Sequence, residues 1–321
     1  MCFQPKPALI SNIYLKPTKK HPEGRLSRSL YFIKPDEEAK YKNRDNLIQI
    51  PCGKCLACRI SHANDWATRC VLESRLYKNN SFITLTYNDE NLPKDKSVNV
   101  RDLQLFFKSL RKKLGKTKIR YFACGEYGSQ TLRPHYHIGL YNYKPKDEKI
   151  FKFNKRKDIV YVSKEIEKIW GKGFITVGEL TLESAAYIAR YTQKKIYEKH
   201  DEILEKLGRK KEFILTSRRP GIGLHVVADV EEFEKIKRNF GIFIKQKSKI
   251  VLKNIPRIIR EKWKEIDALE YYNAAEKNRL DKKNEWIEKM KKINMPEEEY
   301  IKMKNKQTLD RIKKLKRDEV A

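Results

Sequence analysis

Two histidines, His135 and His137, stand two residues apart in the run Arg133-Pro134-His135-Tyr136-His137-Ile138-Gly139-Leu140-Tyr141. Read as a strand, the run sends both imidazoles to one face about 6.6 Å apart along the chain, a separation that suits a shared metal ion. Tyr136, Ile138 and Leu140 take the opposite, apolar face. Upstream, a strand starting near Ile119 runs into Ala123-Cys124-Gly125-Glu126-Tyr127-Gly128, and Ser129 to Pro134 form the turn back to His135. If the two strands pair antiparallel, Glu126 stands beside the histidines and completes a two-imidazole, one-carboxylate site with positions open for substrate oxygens. Downstream, Tyr187 and Tyr191 lie four residues apart in a helical run ending at Lys194-Lys195. They share a face about 6 Å from each other, and Lys194 falls on the same stripe. Two phenols and a cation beside a metal site are the parts of a nucleophilic displacement. Taken singly, a His-x-His pair is as readily a solvated strand face, and a tyrosine pair is more often a packing stripe; the three segments together weigh toward chemistry.

These groups need a scaffold, and the flanking patterns supply one. Phe82 to Tyr87 alternates as a strand and ends at the turn-rich Asn88-Asp89-Glu90-Asn91-Leu92-Pro93. A helix opens at Asn99 or Val100 and runs to Leu114, with Leu103, Phe106, Phe107, Leu110 and Leu114 on one face and Gly115 placed to end it. After the Glu126 and His137 strands comes a Lys-rich insert from about Lys144 to Lys157, then a short helix Ser163 to Trp170 and a strand Gly173 to Glu179. Thr181 is placed to cap the tyrosine helix. The order strand, helix, strand, strand, helix, strand, helix predicts an α+β fold, an antiparallel sheet with helices on one face.

Residues 1 to 50 are Pro- and Lys-rich, with strand-like pieces at Leu30 to Ile33 and Leu47 to Ile50. Cys52, Cys55 and Cys58 then follow at a spacing that lets three thiolates converge on one ion, with a structural zinc preferred over reduced thiols in a tight loop. The fourth ligand stays open among Cys2, Cys70, His62 and His21. A ferredoxin-type cluster is disfavoured, because no fourth cysteine and proline follow Cys58 at the required spacing. Ser61 to Tyr77 is an amphipathic packing helix. Beyond Lys199, Phe213 to Thr216 reads as a strand leading into Ser217-Arg218-Arg219-Pro220-Gly221-Ile222-Gly223, where Arg218 and Arg219 on a turn can grip phosphates or simply be solvated. A long helical pattern covers Pro256 to Ile293, and Asn294 with Pro296 starts another helix.

With 72 Lys and Arg against 42 Asp and Glu in 321 residues, the formal charge is +30, which points to a polyanionic partner. The excess is spread, +7 over 1–75, +13 over 76–200 and +10 over 201–321, as a long track along nucleic acid requires. A Lys-rich solvated surface would raise the same count. No apolar run is long enough to span a bilayer and no secretion signal opens the chain, so a bacterial cytoplasmic setting is expected, with no membrane partner.

In its order of motifs the chain resembles the HUH superfamily of single-strand DNA nicking enzymes, and within it the rolling-circle replication initiators of gokushovirus-type microviruses. The resemblance runs from Cys2 to about Gly223 and is carried by Cys2, Pro51 to Arg59, Phe82 to Tyr87, Glu126, the histidine pair, Tyr187-x-x-x-Tyr191-x-x-Lys194 and Ser217 to Gly223. It implies a ferredoxin-like or RRM-like core over 79–200, a Cys-rich zinc segment with a packing helix over 1–78 and a basic, mostly helical region over 201–321. It favours Cys2 as the fourth zinc ligand. It implies Glu126, His135 and His137 as ligands of magnesium or manganese, and Tyr187 or Tyr191 as nucleophile assisted by Lys194 and Lys195. Thr84 and Thr86 are then contacts to the DNA strand. The expected substrates are single-stranded DNA and replicative-form origin DNA, cut and rejoined through a 5'-phosphotyrosine, with host helicase and polymerase as partners. A non-catalytic zinc protein binding single strands, and a related transposase or relaxase, are the alternatives.

Overall fold

The computed structural model describes residues 5–17, 24–41, 44, 46–128, 131–154, 157–191, 198–246, 249–293 and 295–315. In chain order the strands are β1 (Lys6–Leu15), β2 (Arg25–Phe32), β3 (Leu47–Ile50), β4 (Asn80–Tyr87), β5 (Arg120–Tyr127), β6 (Pro134–Tyr141), β7 (Lys149–Phe153), β8 (Ile159–Val162), β9 (Gly173–Gly178), β10 (Phe213–Thr216), β11 (Ile242–Gln246) and β12 (Lys249–Lys253). The α-helices are α1 (Leu56–Ser74), α2 (Val100–Leu114), α3 (Lys164–Trp170), α4 (Leu182–Tyr191), α5 (Glu198–Lys206), α6 (Val230–Asn239), α7 (Arg257–Ile266), α8 (Ala268–Lys292) and α9 (Glu297–Leu315). The chain is mixed α+β, and its described residues fall into two compact units: Met1–His62 with Glu231–Ile242 and Asn254–Arg317, and Ala63–Val230 with Phe243–Lys253.

The first unit pairs the three-stranded sheet β2-β1-β3 with C-terminal helices. Arg28 of β2 lies over the Tyr272 ring of α8 at 4.6 Å and bonds Glu276, so distant parts of the chain close one core. Trp263 is fully buried among Phe233, Phe240 and Tyr271. The long helical pattern from Pro256 is in fact two helices. Asp267, extended at φ −145°, accepts a hydrogen bond from the Glu270 N–H at 2.8 Å, and this N-cap restarts the helix where periodicity alone runs straight through.

The second unit is built on a seven-stranded sheet, order β10-β5-β6-β4-β9-β8-β7, whose neighbouring strands are all antiparallel. Alternation along β4, β5, β6 and β9 gives it two unlike faces. Ile83, Leu85, Ala123, Tyr136, Ile138, Leu140, Ile175 and Val177 form the apolar face, covered by Leu103, Phe106, Phe107 and Leu110 of α2 and Ile166 and Trp170 of α3. Helix α2 starts where the sequence places it, with the Asn99 side chain accepting from Arg101 N–H and Gly115 at φ +57° ending it. Its apolar stripe explains why the helix docks there: a fully buried Leu or Phe contributes about 1.5–3 kcal/mol.

The opposite face carries helices too. Trp66 of α1 stacks on Phe122 with ring centroids 4.8 Å apart, and α4 lies over Gly139, where a Cβ would press on Leu180 and Ile188. Helix α1 begins at Leu56, ahead of the expected Ser61, because Leu56-Ala57-Cys58-Arg59 propagate helix as readily as the residues after them. The Lys-rich insert contains a hairpin, β7 and β8, at the sheet edge. Strand β10, from the segment after residue 200, forms the other edge.

Candidate active site

Strand register sets the geometry of the polar face. Across β5, β6, β4 and β9 one row reads Glu126, His135, Thr86, Phe174, and the next reads Cys124, His137, Thr84, Thr176. The row beyond, Phe122, Gly139, Phe82, Gly178, lies beneath α1 and α4. The Glu126 row thus sits at the end of the sheet away from the residues that cover Phe122 and Gly139.

Glu126 Oε1 lies 2.8 Å from His135 Nε2 and 3.0 Å from His137 Nε2, and one donor atom from each residue falls within 4.8 Å of the others. The carboxylate and His137 are buried, and His135 is partly exposed. Burial alone would raise the Glu126 carboxyl's affinity for protons, but the imidazoles of His137 and His135 outweigh it and hold the carboxyl below its usual range. Each imidazole is steered from behind. His135 Nδ1 is 3.0 Å from the Arg133 carbonyl oxygen, which can only accept, so Nδ1 carries a proton and the neutral ring turns the lone pair of Nε2 toward the carboxylate. His137 Nδ1 meets Thr84 Oγ1 at 2.9 Å. Two oriented imidazoles and a buried carboxylate directing lone pairs at one point fit a divalent cation.

These residues floor a cleft of about 770 Å³, also lined by Thr86, Arg133, Tyr187 and Lys245. Arg133 is fixed there by Nε to the Tyr87 carbonyl and Nη2 to Asp89 at 2.8 Å. Tyr187 comes from α4, whose first turn is capped reciprocally: Ser184 N–H donates to Thr181 Oγ1 and Thr181 N–H to Ser184 Oγ. Its ring packs edge to face on His137, centroids 4.9 Å apart, and at right angles to Phe82. The phenols of Tyr87 and Tyr136 lie on the apolar side, 2.6 Å from each other, with Tyr87 donating to Asp102. Burial pushes Tyr136 up to about 12 and Tyr87 higher still, so both stay protonated and serve the core.

A match to the family model for replication-associated protein ORF2 covers residues 80–196, from the start of β4 past the tyrosine helix. The chain is 34% identical over 249 residues to replication-associated protein ORF2 of Spiroplasma virus 4, covering 73% of this chain and 75% of that protein. It belongs to the phage replication-associated protein family. Replication-associated protein VP4 of Bdellovibrio phage phiMH2K is 38% identical over 159 residues, 47% of this chain and half (50%) of the relative's length. Replication-associated protein ORF4 of Chlamydia phage 1 is 28% identical over 264 residues, 80% of this chain and 65% of that protein. No solved structure gives a significant match.

In this replication-associated protein the other expected residues divide between the cleft and places away from it. Thr84 and Thr86 line the cleft, but the Thr84 hydroxyl is engaged with His137. Tyr191 ends α4, and its side chain, with Lys194 and Lys195, lies outside the described residues. Arg218 and Arg219 are exposed on a turn tied to the far end of β5: Ser217 N–H donates to the Tyr121 carbonyl, and Arg120 donates to Pro220 O. Six residues of strand separate Arg120 from Glu126, about 20 Å, so that turn is not part of the cleft. Buried Glu73 holds it, accepting from Arg120 and from Gly223 N–H; nothing in the spacing of Glu73 pointed to that task.

The sulfur atoms of Cys52, Cys55 and Cys58 also lie within 4.8 Å of one another, with Cys52 Sγ accepting from Cys55 N–H at 3.3 Å, a cradle that fits zinc. His62 and Cys70 do not join that group. Burial against Tyr141 pushes the Cys70 thiol up to about 12, the reverse of what a metal ligand needs. Cys2 and His21 lie outside the described residues. No described helix is long and apolar enough to cross a membrane.

Proposed function

We propose that this chain nicks and rejoins single-stranded DNA at a phage replication origin through a covalent tyrosine intermediate. One observation carries the reading: antiparallel register gathers Glu126, His135 and His137 at the floor of a cleft that Tyr187 also lines. The names of the relatives, replication-associated proteins of phages, agree with a role in initiating replication.

In this reading Glu126, His135 and His137 hold magnesium or manganese. Such an ion, when bound, supplies Lewis-acid polarisation of the scissile phosphate and orients it for in-line attack. Tyr191 or Tyr187 attacks phosphorus through its phenolic oxygen, the bond to the 3' oxygen breaks, and the departing oxygen takes up a proton. A free phenol titrates near pH 10, so Lys194 and Lys195 favour the phenolate and offset charge developing on the phosphate. The products are a 5'-phosphotyrosine and a 3' hydroxyl that primes synthesis. Bond energy is retained in the ester, so a 3' hydroxyl can later attack it and reseal the strand. Two tyrosines let one hold DNA while the other cuts the regenerated origin. The substrates are single-stranded and replicative-form origin DNA, the partners a host helicase and polymerase in the bacterial cytoplasm, and the cysteine cradle with Cys2 holds structural zinc. Arg218 and Arg219 contact the DNA backbone away from the cleft.

The test is incubation of labelled single-stranded origin DNA with the protein and Mg or Mn, followed by denaturing electrophoresis. A protein-linked DNA species is expected, absent with chelator and in the Tyr187→Phe, Tyr191→Phe double variant. Crosslinking retained in that variant would sink the choice of nucleophiles. Tight binding with no covalent species under any metal would favour a non-catalytic single-strand binder.

A further inference from the structure

The row that begins with Glu126 and His135 does not stop at Thr86. It continues one strand further to Phe174, which pairs directly with Thr86 and therefore projects from the same face. Two strand spacings of about 4.8 Å put Phe174 about 10 Å from His135. On β9 the core side is filled by Ile175 and Val177, at 5% and 1% exposure, while Phe174 is 64% exposed. A single exposed phenylalanine is ordinary by itself. This one stands in line with the three polar residues of the site, at the end of the sheet that α1 and α4 leave clear.

We propose that Phe174 is a stacking platform for an unpaired nucleobase adjacent to the phosphate held at the Glu126, His135 and His137 site. The proposal rests on the reading of that cleft as a DNA-nicking site. Charge favours this occupant over a protein: the chain carries +30, and Arg133, locked by Tyr87 and Asp89, presents a cation in the same cleft for the backbone while the ring takes the base. The face of a phenyl ring accepts any base, so the contact would set position and single-strand preference rather than sequence. In a duplex the bases are already stacked on one another, and the platform has nothing to receive.

The test uses the full chain and origin oligonucleotides carrying 2-aminopurine at successive positions around the cleavage point, with chelator present so that no chemistry occurs. Fluorescence quenching on binding is expected at one position, lost in Phe174→Ala and kept in Phe174→Trp. Loss of one base–aromatic stack should weaken single-strand binding about 5- to 100-fold, with duplex binding unchanged. Unchanged thermal unfolding of Phe174→Ala is expected from its exposure and separates this loss from misfolding. Wild-type quenching and affinity in Phe174→Ala would overturn the platform, as would equal loss on single strand and duplex. If no covalent product forms under any metal while quenching still depends on Phe174, the nicking reading fails and the stacking site stands.

Discussion

At the scale of single residues, the site depends on how its imidazoles are aimed. Thr84 is a strand residue whose hydroxyl reaches His137 Nδ1, and an outer partner of this kind typically sets metal affinity by a factor of about 10 to 100. Thr84→Val should therefore weaken manganese binding by roughly 10- to 100-fold in calorimetric titration, and Thr84→Ser should restore it. Equal affinity in Thr84→Val and the parent protein would show that the hydroxyl does not hold the ring. Cys70 offers a second check. Buried at 1% exposure with its thiol pushed up to about 12, it should resist iodoacetamide at about pH 8 in the folded protein and react after unfolding, as peptide mass mapping would show.

At the scale of elements, two devices hold the strands and helix that carry the site. Gly173 opens β9 at φ +142°, and a side chain there would run into the Asn88 nitrogen and the Thr86 carbonyl oxygen. Gly173→Ala combines backbone strain with overpacking, and a loss of roughly 2–3 kcal/mol is expected in urea unfolding. Thr181 caps the tyrosine helix, so Thr181→Ala should cost about 1 kcal/mol in the same measurement. A smaller effect of Gly173→Ala than of Thr181→Ala would contradict the close approach of β4 to β9. In the cysteine cradle, elemental analysis should find one zinc per chain, lost in Cys55→Ser; protein purified without metal would count against the zinc.

At the scale of the molecule, charge and topology govern. The excess of +30 predicts single-strand binding that falls steeply with salt. For about four phosphate contacts, affinity should drop roughly 50-fold between about 50 and 200 mM salt, measured by fluorescence anisotropy. A flat salt response would remove the electrostatic track. Much of the sheet is legible in the sequence because local signals agree with the fold. Asn99 and Gly115 bracket α2, Ser163 caps α3, and the alternation around His137 needs no distant information. Local pattern fails where tertiary context outranks it. Asp267 splits a continuous periodicity, and the hairpin of β7 and β8 is Lys-rich because it lies at an edge with most of its residues exposed. The sequence by itself determined which residues can bind metal or attack phosphorus, since residue type and strand parity decide both. Only the tertiary structure decided that Glu126 meets both imidazoles on one carboxylate oxygen, that Thr84 faces His137, that Arg218 and Arg219 stand away from the cleft, and that Phe174 is in line with the site. Those are matters of register between segments far apart in the chain, and register is set by which faces bury together.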